Sequence, residues 1–312
     1  MEIITSFCYR HTFALLKLER VEDNKVIGNQ TAATEGEIPD MNISQEMNST
    51  IQQELERIER EEGVLILYAC ESGSRAWGFP STDSDYDVRF IYIRPVEWYL
   101  SIFDKRDVIE RPISDRLDMS GWDLKKALGL FRKSNPPLLE WLESPIKYKE
   151  TLGIAQQIRS ISPLAFSPKS CMHHYLNMAK GNYRMYLQGG DVKIKKYFYV
   201  LRPILACDWI QTYNEMPPME FELLTNRLLD QGSALKQEID QLLLRKRSGE
   251  EMNVEPRLPN INAFIEEKLN EYELLAKDKK HQDTDLDQRL DALFRDALVE
   301  AWGTGGPQSF TV

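Results

Sequence analysis

Three aspartates at alternate positions stand out in the stretch GSRAWGFPSTDSDYDVRFIYI, residues 73–93. Asp83, Asp85 and Asp87 come just before a segment rich in β-branched and aromatic residues, the composition of a β-strand. Because strand side chains alternate between two faces, Asp85 and Asp87 project to the same side. Two adjacent carboxylates repel each other unless a cation lies between them. All-oxygen ligation suits Mg²⁺ or Mn²⁺, which then bind substrate phosphates.

An EF-hand loop and a plain turn are both weaker interpretations of this acidic segment. The spacing imitates the first three ligands of an EF-hand loop, but Val88 stands where that loop needs glycine and Arg94 where it needs glutamate. A solvent-exposed turn would be rich in Ser, Thr and Asp, as this segment is. The turn is disfavoured because the aspartates follow a strand, a Gly–Ser turn and Gly78, and then enter an apolar strand.

A Gly–Ser turn lies upstream of the aspartates. The segment VLILYACESGSRAWG leads a buried strand into Gly73 and Ser74. Backbone N–H groups at such a turn point towards an anion, the Ser74 hydroxyl adds a donor, and Arg75 adds positive charge. We therefore expect phosphate groups to bind at this turn, beside the carboxylates.

This combination of a Gly–Ser pair, a short interval and Asp-x-Asp opening a strand resembles the DNA polymerase β nucleotidyltransferase superfamily. Together with DMSGWDLKKALGLFRKSNPPLLEWLESPIKY, it resembles more narrowly the predicted nucleotidyltransferases of the YcgL type, whose relatives include the RNA-repair-associated RlaP enzymes. The resemblance runs from about residue 60 to 215. It implies transfer of a nucleoside monophosphate from an NTP to an acceptor hydroxyl, with release of pyrophosphate.

The resemblance also implies roles for individual residues. Asp85 and Asp87 would hold two metal ions, Mg²⁺ or Mn²⁺, that stabilise the attacking and leaving oxygens. Gly73 and Ser74 would cradle the β- and γ-phosphates, with Arg75 beside them. A third carboxylate on a neighbouring strand would complete the acceptor-side metal site and help to deprotonate the nucleophile.

The acceptor is not identified by these residues. An RNA end is the first hypothesis, and nucleotidylation of a protein or a small molecule is the alternative. A protein that binds NTP or RNA without catalysis is a further alternative, although a binding protein has no need of two repelling carboxylates.

The third carboxylate has candidates in the segment SDRLDMSGWDLKKAL. If RLDMS is a strand beside DVRFIYI, Leu117 and Met119 share one face and Asp118 lies on the other, as a metal ligand would. Asp115 lies in a turn beside Ser114. Asp123 stands just before LKKALGLF and suits the start of a helix. Asp118 is favoured, and Asp123 stays the alternative.

A second group of candidates lies in the segment KIKKYFYVLRPIL. On a helix, Lys195, Tyr199 and Arg202 form one stripe of two cations and an aromatic ring. This stripe would contact triphosphate and base if the helical part closes over the nucleotide, as it often does in the superfamily; the alternative is a solvent-exposed stripe. Pro203 predicts a kink or break in this helix.

The order of elements predicts an α+β fold. A helix over TIQQELERIEREEG is followed by strands over VLILYAC and DVRFIYI, a helical PVEWYLSIF and two short strands; almost everything after GWDLKKALGLFRKSNPP has helical period. We predict a leader over residues 1–46, a catalytic domain with a small mixed β-sheet over 47–133 and an all-α helical domain over 134–312.

Composition sets limits on the protein class. The net charge is −10, but residues 120–206 hold 14 Lys and Arg against 5 Asp and Glu, so phosphates could bind there. Cys8, Cys70, Cys171 and Cys207 lack CxxC spacing and predict neither disulfides nor zinc. No apolar run suits a membrane span or a secretory signal, so the expected compartment is the cytoplasm.

Overall fold

A five-stranded mixed sheet lies in the part of the chain that the structure describes, residues 43–113, 116–250, 253–275 and 284–303 of a computed structural model. The strands are β1 (Leu65–Glu71), β2 (Tyr86–Ile93), β3 (Val108–Glu110), β4 (Leu117–Asp123) and β5 (Lys147–Glu150). Their order is β3-β4-β2-β1-β5, with β2 and β4 parallel and the other pairs antiparallel. The predicted α+β class is confirmed.

One face of the sheet is covered by α1 (Gln45–Glu62). Its buried stripe of Ile51, Leu55 and Ile58 packs on residues of alternate positions in β2, such as Val88 and Phe90. Side chains return to the same side of a helix about every 3.6 residues and to the same side of a strand every second residue, so these two sets can pack against each other. The even-numbered residues of β2 therefore face α1, and the odd-numbered ones face the opposite way.

The opposite face of the sheet packs against helices from the rest of the chain in one continuous hydrophobic cluster. The further elements are α2 (Gly73–Ala76), α3 (Val96–Tyr99), α4 (Leu124–Phe131), α5 (Pro136–Leu142), α6 (Ile154–Ala165), α7 (Pro168–Asn182), a π-helical turn (Tyr183–Leu187), β6 (Asp191–Lys193), α8 (Ile194–Tyr213), α9 (Phe221–Leu228), α10 (Ala234–Arg247), β7 (Val254–Pro256), α11 (Pro259–Leu275) and α12 (Thr284–Trp302). Because this cluster contains residues of β1 and β2 as well as α8 and α10, the sheet and the helices share a core.

Strands also occur after residue 133, although the helical spacing of apolar residues predicts only helices there. β5 pairs with β1 at the edge of the main sheet, and β6 pairs with β7 in a separate two-stranded sheet. The helix expected over PVEWYLSIF is the single turn α3. The domain boundaries at residues 46 and 133 stay predictions. Residues 1–42 of the predicted leader lie outside the described residues.

The sequence predicts a kink or a break at Pro203, and the break is wrong, because α8 runs through this residue. Proline lacks the N–H that would bond the carbonyl of Tyr199, four residues earlier. The side chain of Asn182 takes over, its Nδ2 donating to the Tyr199 carbonyl oxygen at 3.0 Å. A neighbouring helix therefore satisfies the group that proline leaves open.

Two observations concern the class of protein. Cys70, Cys171 and Cys207 are buried free thiols, and Cys8 lies outside the described residues. Within the described ranges, no helix is both long and apolar enough to cross a membrane.

Candidate active site

A cavity of about 230 Å³ opens between the Gly–Ser turn, the start of β2 and the first half of α8. It contains most of the residues that the sequence singled out, although these come from segments more than a hundred residues apart. The predicted residues that line it are Gly73, Ser74, Asp85, Asp87, Lys195 and Tyr199.

Gly73 lies directly against Asp87. Its φ of +61° is in the left-handed region, and a Cβ at this position would lie 2.0 Å from Asp87 Oδ2. The backbone amide of Ser72 donates to the carbonyl oxygen of Asp87 at 2.8 Å, which fixes the turn to β2. Glycine is therefore needed for the turn to approach the carboxylate.

Glu71 supports Asp87 from inside the sheet. Its Oε1 accepts the backbone N–H of Asp87 at 2.8 Å, and its Oε2 accepts from the Tyr148 hydroxyl. Burial raises the pKa of the Glu71 carboxyl to about 7, against the lowering effect of these two hydrogen bonds. Burial also raises the pKa of Asp87, and the carboxylates of Asp118 and Asp85 act in the same direction, whereas Arg89 lowers it.

Asp85 and Asp83 have different surroundings. Asp85 is exposed and lines the cavity just before β2 begins. Asp83 points elsewhere, with an Oδ1 3.6 Å from the Arg116 guanidinium. The loop that carries both aspartates is held by a hydrogen bond between the Ser81 and Ser84 hydroxyls, which lie 2.9 Å apart. The pair predicted from strand alternation, Asp85 and Asp87, is thus the pair that reaches the cavity.

Arg75 holds this loop and does not line the cavity. Its Nη2 donates to the carbonyl oxygen of Ser84 at 3.0 Å, and its guanidinium lies 3.8 Å from the centre of the Tyr86 ring. The placement of Arg75 therefore favours a role in holding the loop over the expected direct contact with a phosphate. Its charge still lowers the pKa of the neighbouring Asp87.

Asp118 lies beside Asp87, as the strand argument required. The parallel register of β2 and β4 pairs Asp87 with Asp118, and Leu117 and Met119 pack on the α1 side. The side chain that contacts both carboxylates is Arg89, whose Nη2 lies 3.1 Å from Asp87 Oδ1 and 2.8 Å from Asp118 Oδ2. Among the described residues, no three acidic, His or Cys side chains form a group that could hold a metal ion.

Asp123, the alternative third carboxylate, has a structural role. It is buried, and its Oδ1 accepts the Lys125 amide at 2.9 Å as the N-cap of α4. Its Oδ2 accepts the Tyr99 hydroxyl at 2.7 Å. Both carboxylate oxygens are therefore used within the fold, away from the cavity.

The predicted stripe on α8 is only partly correct. Lys195 and Tyr199 line the cavity, but Arg202 is 3% exposed and lies behind it. Its Nη1 pairs with Glu140 Oε1 at 2.7 Å, and its guanidinium lies 4.8 Å from the centre of the Trp77 ring. Arg202 therefore contacts Trp77, a residue of the cavity wall, and does not line the cavity itself.

Several lining residues were missed in the sequence. Three of them, Trp77, Phe79 and Ser84, lie between the Gly–Ser turn and the Asp-x-Asp motif, and Phe198 shares a face of α8 with Lys195. Their positions in the sequence could therefore have identified them as residues of the cavity. Lys246, at the end of α10, had no such signal. Its Nζ donates to Ser84 Oγ at 3.1 Å and lies 5.9 Å from the centre of the Phe79 ring.

The donors at the cavity fit a divalent cation bound with a phosphate chain. Asp85 and Asp87 supply the oxygen ligands that Mg²⁺ or Mn²⁺ prefers, with room left for substrate oxygens. Lys195 and Lys246 add positive charge to the lining of the same cavity. Oxygen ligands for a cation and positive charges for an anionic ligand therefore line one space.

The chain is similar to known proteins along most of its length. Residues 47–296 match RlaP, the RNA repair pathway DNA polymerase beta family. The chain is 53% identical over 260 residues to the uncharacterized protein YcgL of Bacillus subtilis (strain 168), an alignment that spans 83% of this chain and 100% of that protein.

A solved structure, the nucleotidyltransferase-like protein from Exiguobacterium sibiricum 255-15, aligns with 80% of this chain and 90% of its own. Its identity of 12% and TM-score of 0.27 are too low to establish a shared fold. The family match and the YcgL relative each cover most of the chain. The chain therefore belongs to the RlaP family, the RNA repair pathway DNA polymerase beta family.

Proposed function

We propose that the protein is a metal-dependent nucleotidyltransferase that transfers a nucleoside monophosphate from an NTP to an acceptor hydroxyl, with an RNA end as the acceptor. Family membership supports a transferase. The observation that carries the proposal is the cavity that Asp85 and Asp87 line together with Lys195, Lys246 and the Gly–Ser turn. Pyrophosphate leaves as the acceptor oxygen forms its bond to the α-phosphorus.

The triphosphate binds between the turn and the lysines. Ser74 offers its hydroxyl, and Gly73 lets the chain approach the carboxylate side of the cavity without a clash. Lys195 has no carboxylate partner in the described part of the chain, so its charge is available to a phosphate. Lys246 reaches the same space from α10 while it fixes Ser84.

Asp85 and Asp87 hold the divalent ion. When bound, Mg²⁺ neutralises the phosphate oxygens and favours departure of pyrophosphate. Burial and the neighbouring carboxylates raise the pKa of Asp87, which is the electrostatic condition in which a bound cation is favoured. Glu71 fixes the backbone of Asp87 by accepting its N–H, and Gly73 leaves room for the carboxylate.

The nucleoside has an aromatic wall to contact. Trp77, Phe198 and Tyr199 line the cavity, and the Arg202 guanidinium braces the Trp77 ring from behind. Aromatic faces accept any base by stacking, so this wall does not select an NTP by itself. Labelling with each of the four NTPs in turn measures the base preference.

RNA is favoured as the acceptor because of the family and the local charge. The family takes its description from an RNA repair pathway. Lys193, Lys195 and Lys196 are grouped at the start of α8, and the Lys196 Nζ lies 3.9 Å from the centre of the Tyr186 ring. Several other cations of the basic interval are paired, as Lys149 is with Glu59 at 2.7 Å. This helix start is therefore the surface on which we place the RNA backbone.

The test offers each α-labelled NTP in turn, with Mg²⁺, to pooled RNA, protein extract and small alcohols. We expect label in RNA. Asp85→Asn and Asp87→Asn should abolish labelling while the protein stays folded, and Asp83→Asn is the matched control because its exposed carboxylate lies in the same loop but outside the cavity.

Label in protein or in a small alcohol would replace the RNA acceptor. Undiminished labelling by either cavity variant would refute the metal assignment. Nucleotide binding without transfer to any of the three acceptor pools would favour a binding protein over an enzyme.

A further inference from the structure

Arg89 occupies the space between the two strands that carry carboxylates. It lies two residues after Asp87 on β2 and on the same face of the sheet, and the register places Asp118 opposite Asp87 on β4. Its Nη2 contacts Asp87 Oδ1 at 3.1 Å and Asp118 Oδ2 at 2.8 Å. One guanidinium nitrogen thus bridges the two acidic side chains.

Backbone contacts hold Arg89 in this position. Its Nη1 donates to the carbonyl oxygens of Asp118 at 3.0 Å and of Val88 at 3.1 Å. The side chain is 18% exposed, so the ion pairs are largely shielded from solvent. An arginine held by four contacts is a fixed part of the site and differs from a surface side chain that changes partners freely.

The position of Arg89 conflicts with a second metal ion. In the two-ion arrangement implied by the family resemblance, the acceptor-side ion would use oxygens of Asp87 and the third carboxylate. Arg89 uses Asp87 Oδ1 and Asp118 Oδ2 in that place, and no group of three candidate ligands forms in the described part of the chain. The guanidinium already supplies positive charge between the carboxylates.

We infer that Arg89 takes the place of the acceptor-side metal ion, so that the chain binds one divalent ion, through Asp85 and Asp87, and not two. This inference rests on the proposed function and refines its metal requirement. Asp118 is then a positioning residue: it holds the Arg89 guanidinium beside Asp87 and does not bind metal.

The test counts the Mn²⁺ ions bound per chain by equilibrium dialysis, with free Mn²⁺ measured by electron paramagnetic resonance and with saturating α,β-methylene-ATP as a nucleotide that cannot be transferred. We expect one ion for the wild type and two for Arg89→Gln. The double variant Arg89→Gln, Asp118→Asn should return to one, because the freed carboxylate is lost. Arg106→Gln is the control for net charge, since Arg106 is exposed and pairs only locally with Glu110 in an i,i+4 contact.

The count decides between the alternatives. Two ions of similar affinity in the wild type, one ion in Arg89→Gln, or two ions retained in the double variant would each overturn the assignment of Arg89. A wild-type count of zero would overturn the proposed metal dependence as well. If Arg89→Gln does not fold, Arg89→Lys replaces it, because lysine keeps the charge but cannot bridge the two carboxylates. Arg89→Lys should bind the second ion at an Mn²⁺ concentration at least about tenfold below the one that the wild type requires. Tenfold corresponds to the loss of one charge-assisted hydrogen bond. An unchanged requirement would contradict the inference.

Discussion

Replacing Gly73 with alanine should displace the Asp87 carboxylate. The added Cβ would lie 2.0 Å from Asp87 Oδ2 and 2.8 Å from Asp87 Cγ, whereas ordinary contact begins at 3.4 Å. Glu71 fixes the Asp87 backbone and Arg89 bonds its carboxylate, so the side chain cannot rotate away without losing the contact with Arg89. A shift of about 1.4 Å in the carboxylate is the smallest that removes the clash, and a misplacement of about 1 Å in a catalytic group can cost about a hundredfold in rate.

The stability effect has two parts. An L-residue at a φ of +61° costs roughly 1–2 kcal/mol, and an overpacked contact costs about 1–3 kcal/mol more. We therefore expect Gly73→Ala to lower the free energy of unfolding by roughly 2–5 kcal/mol and to reduce labelling at least about a hundredfold. Urea unfolding measures the first quantity, and the initial rate of label transfer at saturating NTP measures the second.

Gly153 offers a matched control. It has the same φ of +61°, but a Cβ there would meet no atom within 4 Å, and it does not line the cavity. Gly153→Ala should lose only the backbone part, about 1–2 kcal/mol, and should label at the wild-type rate. If Gly73→Ala matches Gly153→Ala in both measurements, the close approach of the turn does not position Asp87, and the reasoning is refuted.

Three further outcomes are expected. Arg202→Met should lower the free energy of unfolding by about 3–5 kcal/mol, because it leaves the largely buried Glu140 carboxylate without its cation. Lost labelling at wild-type stability in urea would instead favour Arg202 as a nucleotide ligand. Binding of single-stranded RNA should weaken steeply as the salt concentration rises, and the double variant Lys195→Ala, Lys196→Ala should reduce that salt dependence in a filter-binding titration. An equal reduction by Lys147→Ala, which removes an exposed cation of β5, would mean that the total charge and not the start of α8 determines RNA binding. A chain that begins at Met41 keeps all of α1 and should unfold and label like the full chain; loss of labelling with an intact fold would give the first forty residues a part in the site.

Local signals were sufficient for the centre of the site. The content of β-branched and aromatic residues identified β2. The alternation of strand side chains then placed Asp85 and Asp87 on one side and separated Asp118 from Leu117 and Met119. The Gly–Ser turn was recognisable because glycine is needed where φ is positive. These features depend on neighbours in the sequence, so the sequence carries them directly.

Long-range contacts determine the features that the sequence did not indicate. Helical spacing shows that Lys195 and Arg202 share a stripe, but the depth of each side chain depends on packing against segments such as the one that contains Glu140. The bridge from Arg89 to Asp118 spans 29 positions, and no spacing rule predicts which cation a carboxylate will meet. β5 has only four residues, three of them charged, so its pairing with β1 had no periodic signal.

The end of α10 has a consequence for the synthesis of the protein. Lys246 bonds Ser84, and the neighbouring Arg247 donates through Nη2 to the carbonyl oxygen of Gly78 at 2.7 Å, so both contact the loop that leads to Asp85. These contacts span 162 and 169 positions, so a ribosome must add that many residues after the loop before they can form. The nascent chain can build its sheet and the Gly–Ser turn earlier, yet the complete cavity forms only once α10 has been synthesised. A product that terminates early would therefore keep the signature residues and lack the site.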